Sequence, residues 1–414
     1  MNLKKTLLFL VIIASVCETA QAKGRIYSDN IRTLVVTAGD DWISPPVTEL
    51  NGGETIYISF DEMSHDYRRL VYHIDHCEAD WTVSEELFES DYLQGFNDNP
   101  IEDYETSLNT IYLYTHYELE IPNDRCKLKI SGNYRVTIYD DDDPDTKLLE
   151  AEFMVVEPLM SLTAGVTTNT DIDVNKEHQQ IEIGLDYEDV RVTLPAEQIY
   201  TVVTQNDRED NRRINVKPNI RHDKGLEWTH NRELIFDGGN EYHKHEVLDL
   251  SHATMGIDYI DWDGENFNVY PFKVEERPNY LYDEDANGAF FIRNSDNEEI
   301  DYTCDYALIH YRVDIEPLLG ARLIIDGRWT DSADKERYVA QYSMEDNMYH
   351  LTLLQKQGYY SYQFLGLRAD GTTFIPPSEG NYFQTENRYQ IYVYFKALGG
   401  RTWQLVAFRQ AEFK

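Results

Sequence analysis

The segment SGNYRVTIYD, residues 131–140, decides the fold class of this chain. Tyr134, Val136 and Ile138 occupy alternate positions and are separated by more polar residues. Successive side chains of a β-strand point to opposite faces, so this period of two is typical of a strand with one buried face and one face in water. Because Tyr134 follows a Ser-Gly turn, it stands where an immunoglobulin-like sandwich has its tyrosine corner.

The same period of two recurs along the chain, in ETIYISFDE (54–62), QQIEIGLDYE (179–188) and NRYQIYVYF (387–395). Most of the 31 tyrosines fall in such runs, where half-buried strands favour them. Helical periodicity is confined to two short segments, 84–93 and 331–340. Turn clusters rich in Gly, Asn and Asp separate the runs. The sequence therefore predicts an all-β protein made of tandem antiparallel β-sandwich domains.

A chain of 414 residues is too long for one hydrophobic core, so several domains are expected. The turn clusters and the breaks between strand-like runs predict a signal peptide over residues 1–22 and an immunoglobulin-like β-sandwich over 23–158. It further predicts a middle β-domain over 159–299 and a C-terminal β-sandwich over 300–414.

The first residues have the pattern of an export signal. Lys4 and Lys5 precede a mostly apolar run, 7–16, and small residues at 20 and 22 form a cleavage site. The mature chain is expected to begin near Lys23. No other stretch approaches eighteen consecutive apolar residues, so no helix is expected to insert in a bilayer.

The charge of the chain excludes two kinds of partner. The formal net charge is −38 at pH 7. A surface this acidic repels phosphate backbones and anionic lipid headgroups. Nucleic acid and direct membrane binding are therefore not expected, and the protein is predicted to be soluble, exported and acidic.

A histidine pair in NRELIFDGGNEYHKHEVLDL, residues 231–250, is a candidate metal site. His243 and His245 would project from one face of a strand, which permits bidentate binding. A third ligand is needed, and His222, His230 or His252 are possible donors. The helix-borne HExxH pattern of zinc proteases is missing. We therefore favour a glycine turn followed by an outgoing strand with exposed imidazoles.

Two acidic turns are candidate calcium sites. The segment 283–288 matches the first six positions of a calcium loop, but position twelve is Asn294 where glutamate is required. An Asn-Gly hairpin explains the same residues. Five aspartates crowd residues 140–145, a pattern more typical of a solvated turn. The hairpin and the solvated turn are favoured, and calcium binding at either place stays open.

The cysteines and the motifs of catalysis give no enzyme signature. Cys77, Cys126 and Cys304 remain after signal cleavage, an odd number without a CxxC pair. A disulfide between Cys77 and Cys126 stays open, because the periplasm is oxidising. The sequence contains no GxSxG elbow, Walker loop or GxGxxG fingerprint. No catalytic, cofactor-binding or metal-binding residue, no cofactor and no small-molecule substrate are therefore predicted.

Several phrases of the sequence, in order, resemble one family, the type IX secretion system plug proteins of the Bacteroidota. In the first part they are YISFDEMSHDYRRLVYHIDHCEADW (57–81), SDYLQGFNDNPIEDYETSLNTIYLYTHYELEIPN (90–123) and LKISGNYRVTIYDDDDPD, with FMVVEP at its end. Farther along they are NTDIDVNKEHQQ, TQNDR, ELIFDGGNEYHK, GAFFIRN, LLQKQGYYSYQ and TENRYQIYVYF. The tail GGRTWQLVAF departs from the usual ending of the family.

The resemblance implies a steric function. A plug protein is expected to be periplasmic, at the inner face of the outer membrane, and to occlude the periplasmic end of the outer-membrane β-barrel translocon when no cargo is in transit. It implies no enzyme activity and no metal chemistry for FDGGNEYHK.

A carbohydrate-binding protein is the alternative. The C-terminal segment is similar to early-set and carbohydrate-module sandwiches, and Trp329 with Tyr359 or Tyr360 would stack on sugar rings. We favour a core or interface position for these aromatics.

Overall fold

The computed structural model of the protein describes residues 24–331 and 335–414. It is built almost entirely from β-strands in antiparallel sheets, which confirms the all-β class and the tandem sandwiches. The predicted signal peptide, residues 1–22, lies outside the described residues. Within the described ranges, no helix has the length and apolar character needed to cross a membrane.

The first twelve strands form the part of the chain before residue 157. In order, β1 to β12 are Arg25–Ile26, Ile31–Ala38, Val47–Glu49, Ile56–Glu62, Leu70–Cys77, Leu93–Gly95, Asn99–Pro100, Asp103–Thr106, Thr115–Ile121, Cys126–Leu128, Gly132–Asp140 and Asp143–Val156.

The next eighteen strands continue to residue 374. In order, β13 to β30 are Ser161–Thr167, His178–Asp186, Ile199–Gln205, Arg213–Ile214, Ile220–Arg221, Gly225–Trp228, Ile235–Asp237, His243–Val247, Ile257–Trp262, Phe267–Pro271, Val274–Glu275, Phe290–Ile292, Tyr306–Asp314, Ala321–Asp326, Val339–Ser343, Met348–Lys356, Gly358–Arg368 and Thr373–Phe374.

The chain ends with two long strands, β31 (Arg388–Phe395) and β32 (Gln404–Glu412). Helices are single turns: α1 (Glu89–Tyr92), α2 (Pro195–Gln198) and α3 (Ile300–Thr303), with 3₁₀ turns at Arg232–Leu234 and Lys335–Tyr338. The helix expected over 84–93 is thus reduced to α1. The helix expected over 331–340 is reduced to a 3₁₀ turn, and residues 332–334 of it lie outside the described chain.

The first sandwich is formed by β1 to β12. One sheet has the order β1-β12-β11-β5-β7, with β3 parallel to β12, and the other has the order β2-β4-β9-β8. Their inner faces share one core, which includes the fully buried side chains of Phe60, Tyr117, Val136 and Phe153. The Tyr134 hydroxyl donates to the Ile130 carbonyl at 2.7 Å, the local contact of a tyrosine corner. The immunoglobulin-like topology stays a prediction.

The second sandwich is discontinuous in sequence. One sheet has the order β13-β14-β18-β17, with β19 beside β14, and the other has the order β16-β15-β31-β32. Ile183 and Trp228 from the first sheet meet Ile391 and Val393 from the second in a common core. The last two strands of the chain therefore complete a sandwich that began more than two hundred residues earlier.

The third unit lies between these two parts of the second sandwich. Strands β20 to β30 form an eleven-stranded sheet with the central order β20-β29-β26-β27-β28-β25-β22-β21. Val247 near one end and Ile257 near the other share one core with Leu323 and Phe364. The sheet must therefore fold over on itself to bury its inner face.

These pairings cross the predicted boundary between residues 159–299 and 300–414. Strand β15 pairs with β31, and β20 pairs with β29. The division of the chain into three consecutive domains stays a prediction. The sheets themselves combine strands from both sides of the predicted boundary. We therefore describe the molecule by its three units: the first sandwich, the second sandwich and the third unit.

The four segments with a period of two all lie in strands, namely β4, β11, β14 and β31. The expectation of one wet face is wrong for β11, where Asn133 and Thr137 on the outer face are also buried, and it is wrong for β31. Its Ile391 and Val393 face the core of the second sandwich, while Tyr392 and Tyr394 pack against the first sandwich. Alternation records the two faces of a strand, and here both faces are covered.

Candidate functional site at the junction of the three units

The candidate functional site is the junction, the contact surface that joins the first sandwich to the second sandwich and to the third unit. Its apolar part brings the outer face of the first sandwich against β31 and β32. The buried side chains of this cluster are Cys77, Ala79, Trp81, Met154, Tyr392, Tyr394 and Leu405. The Tyr394 hydroxyl donates to the Asn133 side-chain oxygen at 2.8 Å, so the polar tip of this ring is also bound across the junction.

A fully buried ion pair ties the first sandwich to the third unit. Asp61 on β4 and Lys356 on β28 are 0% and 2% exposed, and Lys356 Nζ lies 2.7 Å from Asp61 Oδ2. The Tyr306 hydroxyl donates to the same carboxylate at 2.6 Å, and His116 Nδ1 lies 2.6 Å from Asp61 Oδ1. Removal of one member of such a buried pair leaves an uncompensated charge and costs about 3–5 kcal/mol.

The pKa of Asp61 reflects these partners. Burial alone would raise the pKa, but the charge of Lys356 and the hydrogen bond from His116 outweigh it, and the pKa is lowered from its usual value. These partners therefore favour the ionised form of the buried Asp61 carboxylate.

Lys356 makes further contacts across the junction. Its Nζ lies 4.2 Å from the centre of the Tyr114 ring and donates to the Asp301 carbonyl at 2.6 Å. Tyr114 in turn donates to the Cys304 carbonyl at 2.7 Å. Tyr114 of the first sandwich is thus held against both β28 and the segment that precedes β25.

A third contact involves the loop between β2 and β3. The Arg328 guanidinium donates to the carbonyls of Ile43 and Ser44 at 2.6 and 2.9 Å. Backbone carbonyls are fixed by the chain, so this contact holds the position of the loop as well as the side chain. The apolar cluster, the ion pair and this arginine together join the three units into one body.

The structure places His243 and His245 on β20, as the sequence predicted, but the expectation of exposed imidazoles is wrong. His245 is fully buried, and its ring contacts Tyr311, Tyr360 and Tyr362. Burial lowers the pKa of His245 to about 3, and neither ring nitrogen has a hydrogen-bond partner. A neutral imidazole enclosed by aromatic rings has no room for a metal ion.

His243 has a structural partner of its own. Its Nε2 lies 3.2 Å from the Glu379 carboxylate, which also accepts from Arg277 at 2.6 Å. Burial would raise the pKa of Glu379, but the charges of His243 and Arg277 and the hydrogen bonds lower it to about 2. The other candidate ligands, His222, His230 and His252, each bind a carboxylate elsewhere on the chain.

The glycine pair before β20 has the turn role that the sequence predicted. A Cβ on Gly238 would lie 2.1 Å from the Tyr382 carbonyl oxygen, and Gly239 has a φ of 67°. The first position therefore excludes any side chain, and the second favours glycine.

The two acidic turns have partners within the protein. Asp140 and Asp141 form ion pairs with Arg68 and Arg69. In the other turn, Lys244 Nζ lies 2.6 Å from Asp283 Oδ1, and Asn287 and Gly288 have φ of 50° and 84°. These angles are those of a tight turn at Asn-Gly, but the expected hairpin is wrong: no strand precedes the turn within the described residues between β23 and β24, and β24 pairs with β29.

Asp285, in the same turn, is bound by the backbone. It accepts from the amides of Tyr242 and Asn287, and burial raises its pKa to about 7. The Asp285 carboxyl group therefore stabilises the turn through these two hydrogen bonds.

Cys77, Cys126 and Cys304 are free and buried. The disulfide between Cys77 and Cys126 that the sequence left open is not formed. Burial raises the pKa of the Cys77 thiol to about 12, so this thiol is a weak nucleophile at neutral pH.

The aromatics of the carbohydrate alternative lie within the third unit. Tyr360 is buried, and Trp329 Nε1 donates to the Ser361 carbonyl at 3.0 Å while its ring contacts Tyr360. Tyr359 contacts the ring of Trp42 from the first sandwich. The alternative therefore gains no support from the position of these rings.

One group of potential metal ligands exists within residues 24–331 and 335–414. It consists of His116, Glu118 and Asp301, whose ligand atoms all lie within 4.8 Å of one another. The sequence analysis did not single out these residues. The available signal was the spacing of His116 and Glu118, which are two apart on β9 and therefore share a face.

The residues of the buried ion pair were also missed. A charged residue inside an apolar alternating run, such as Asp61 in β4 or Lys356 at the end of β28, is the signal that sequence offers, because buried charges occur almost only in pairs. Which two of the many charges form the pair depends on the fold.

The fold and the junction define a class of protein: a tandem β-sandwich protein whose units are joined by buried contacts into one body. Residues 31–157 match the family model described as "Type 9 secretion system plug protein 1st domain". The segment 31–157 is therefore a first domain of the type IX secretion system plug protein family.

The chain is also similar to a solved structure over nearly its whole length. This is the crystal structure, at 2.30 Å resolution, of a hypothetical protein from Parabacteroides merdae ATCC 43184. The two share 34% sequence identity with a TM-score of 0.92, and the likeness covers 95% of this chain and 100% of that chain. The comparison with curated proteins finds no match.

Proposed function

We propose that this chain is a non-enzymatic plug that binds the periplasmic end of the outer-membrane β-barrel translocon of the type IX secretion system and occludes it when no cargo is in transit. The observation that carries the proposal is the match of residues 31–157 to the first domain of the plug family. In this proposal the protein lies in the periplasm at the inner face of the outer membrane, and its partner is the translocon.

The junction supports a steric mechanism. A stopper must keep its shape when solutes press on it, and domains joined only by a linker would move relative to one another. Here Asp61–Lys356 and the apolar cluster that includes Trp81 and Tyr394 bury the contact between the units. The body can therefore fill an opening as one piece.

The exposed edges of the sheets support reversible binding. Edge strand β8 is exposed along its whole length and carries Asp103 and Glu105, and edge strand β21 carries Asp258 and Asp261. Charged edge strands resist pairing with strands of another protein. Such edges keep the plug from adding itself to the sheet of the barrel, and polar rim contacts let it dissociate.

A pull-down tests the proposal. The tagged protein, added to a detergent-solubilised Bacteroidota envelope, should recover the outer-membrane translocon, and gel filtration with the purified translocon should give one complex. Recovery of only soluble cargo or glycans would contradict the plug function.

Two matched double variants sharpen this experiment. Phe88 and Phe96 are 75% and 79% exposed within the family-matched segment, whereas Leu319 and Met344 are 97% and 89% exposed outside it. Exposed aromatics are common anchors of interfaces. We expect Phe88→Ser with Phe96→Ser to weaken the complex by about tenfold, an effect of about 1.4 kcal/mol. Leu319→Ser with Met344→Ser is the control and should leave the complex intact.

A further inference from the structure

A groove of about 660 Å³ separates the outer face of the first sandwich from the third unit. Residues of β2, β4 and β9 line one side, and Phe290–Ile292 and α3 line the other. His116, Glu118 and Asp301 all border this groove, where His116 is buried, Glu118 is half-buried and Asp301 is exposed. Since His116 and Glu118 lie on the first sandwich and Asp301 lies on α3, the three residues come from two different units.

His116 presents a ligand atom without a partner. The residue is 8% exposed, and its Nε2 has no hydrogen-bond partner although this atom is buried. Asp301 Oδ1 lies 3.9 Å from this atom, too far for a hydrogen bond. A buried polar atom normally finds a partner, so a vacant lone pair that faces two carboxylates calls for a cation.

The other ring nitrogen fixes the tautomer. His116 Nδ1 lies 2.6 Å from Asp61 Oδ1, and Lys356 Nζ lies 2.7 Å from the other oxygen of this carboxylate. A carboxylate can only accept, so Nδ1 carries the proton and donates it. Nε2 is then the ring nitrogen that can offer a lone pair to a metal, as in the carboxylate–histidine arrangement around protein-bound zinc.

The charges around the group also favour a cation. Within the described chain, neither Glu118 nor Asp301 forms an ion pair with lysine or arginine. Asp103 stands directly opposite Glu118 on the neighbouring strand. The ammonium of Lys356 also borders the groove, but it is bound to Asp61 and to the Asp301 carbonyl.

We propose that His116, Glu118 and Asp301 bind one divalent transition-metal cation of the zinc class, which bridges the first sandwich and α3. One imidazole and two carboxylates suit zinc, with water in the fourth position, whereas calcium requires six to eight oxygen ligands. Tetrahedral zinc ligands lie about 3.4 Å apart. The present spacing of up to 4.8 Å must contract to this by rotation of the Glu118 and Asp301 side chains, of which Asp301 is 55% exposed.

Such a cation would stabilise the junction where the protein has the least covalent continuity. It links β9 to α3, nearly two hundred residues later, and it neutralises carboxylates that otherwise repel one another. The proposal is independent of the plug function, because it concerns metal binding by the isolated protein.

Calorimetric titration of the chelator-stripped protein with zinc chloride tests the site. We expect one zinc ion per chain with a dissociation constant of about 10 µM or lower and a rise in the melting temperature. Glu118→Gln and Asp301→Asn should each weaken binding by at least about tenfold. The matched control is Glu120→Gln, which changes an exposed carboxylate on the same face of β9 and should bind within about twofold of the wild type.

Cobalt gives a second measurement. One cobalt ion per chain should produce the visible absorption of a four-coordinate nitrogen–oxygen site, and Glu118→Gln should abolish it. Both substituted side chains border solvent, so the variants are expected to fold, and melting in chelator checks this.

Two results would overturn the proposal. One is the absence of saturable zinc binding. The other is zinc binding of equal strength in the wild type, Glu118→Gln and Asp301→Asn, which would place the ion on other surface carboxylates. Calcium chloride at the same concentrations should leave the melting temperature unchanged.

Discussion

Strands β9 and β20 each carry a pair of potential ligands two residues apart, yet their surroundings differ. On β20, His245 is enclosed by tyrosine rings and His243 is bound to Glu379. On β9, His116 and Glu118 border a groove, and Asp301 from α3 supplies a third ligand. The spacing is the same, so spacing alone does not make a metal site. A metal site also requires that the face of the strand shared by the two ligands is not covered by side chains of its own unit. On β20 this face is covered by the third unit itself, whereas on β9 it faces a groove and a second unit.

The largest effect is expected from the support behind His116. Lys356→Met leaves Asp61 buried without its counter-charge, and we expect a loss of about 3–5 kcal/mol in the free energy of unfolding. Urea denaturation measures this loss. The double variant Lys356→Met with Asp61→Asn should recover a large part of it, because the uncompensated charge is gone.

The matched control for this prediction is Lys224→Met, since Lys224 forms an exposed ion pair with Glu188 at 3.4 Å. Exposed pairs contribute at most about 1 kcal/mol. Equal losses in Lys356→Met and Lys224→Met would show that the buried pair does not stabilise the junction.

The second effect concerns His245, the buried member of the histidine pair on β20. Burial lowers the pKa of His245 to about 3, whereas an unfolded histidine has a pKa of about 6.5. The unfolded state therefore binds more protons between these values. The contribution of His245 to the free energy of unfolding is fully present above pH 6.5 and is lost as the pH falls. From pH 7 to pH 5 it amounts to about 2 kcal/mol.

Denaturation of wild type and His245→Phe at pH 7 and pH 5 measures this contribution as a difference of differences. The variant should lose about 2 kcal/mol less than the wild type over this interval. The same substitution at His222, a half-exposed residue on the surface, is the control and should change the pH dependence little. Parallel pH profiles for wild type and His245→Phe would mean that His245 is accessible to protons in the folded state.

The same contrast shows how far sequence can predict this protein. Period-two runs such as 131–140 predicted strands, because the alternation is a local consequence of the pleat. The alternation could not show that both faces of β31 are covered, since the second cover comes from the first sandwich. The pairing of β15 with β31 depends on residues nearly two hundred positions apart, and no local pattern records it.

The candidate site was predictable only in part. The sequence indicated that β20 would carry two histidines on one face, and it does. The closure of that face by Tyr311, Tyr360 and Tyr362 depends on how the third unit folds. For the same reason, the meeting of Asp301 with His116 was invisible before the units were assembled.

A smaller effect tests the charges around His116 and Glu118, the pair on β9. In chelator, Glu118→Gln removes a carboxylate that stands opposite Asp103 and near Asp301. Like charges opposite one another destabilise a sheet, so we expect the variant to gain about 0.5 kcal/mol in the free energy of unfolding at pH 7. With saturating zinc the order should reverse, because only the wild type gains from binding. A variant that is less stable than wild type in both conditions would show that Glu118 is a structural partner.

The smallest effect is expected where the comparison is most direct. His243→Gln changes the histidine pair on β20 and leaves His116, Glu118 and Asp301 unchanged. Calorimetric titration of this variant with zinc should therefore give the wild-type dissociation constant within about twofold. Glutamine keeps a hydrogen-bond donor for Glu379, which Arg277 also holds, so the variant should fold. The loss of zinc binding in His243→Gln, with binding retained in Asp301→Asn, would reverse the assignment and place the metal on β20. The opposite outcome would establish that a strand pair becomes a metal site only where a second unit supplies the missing ligand.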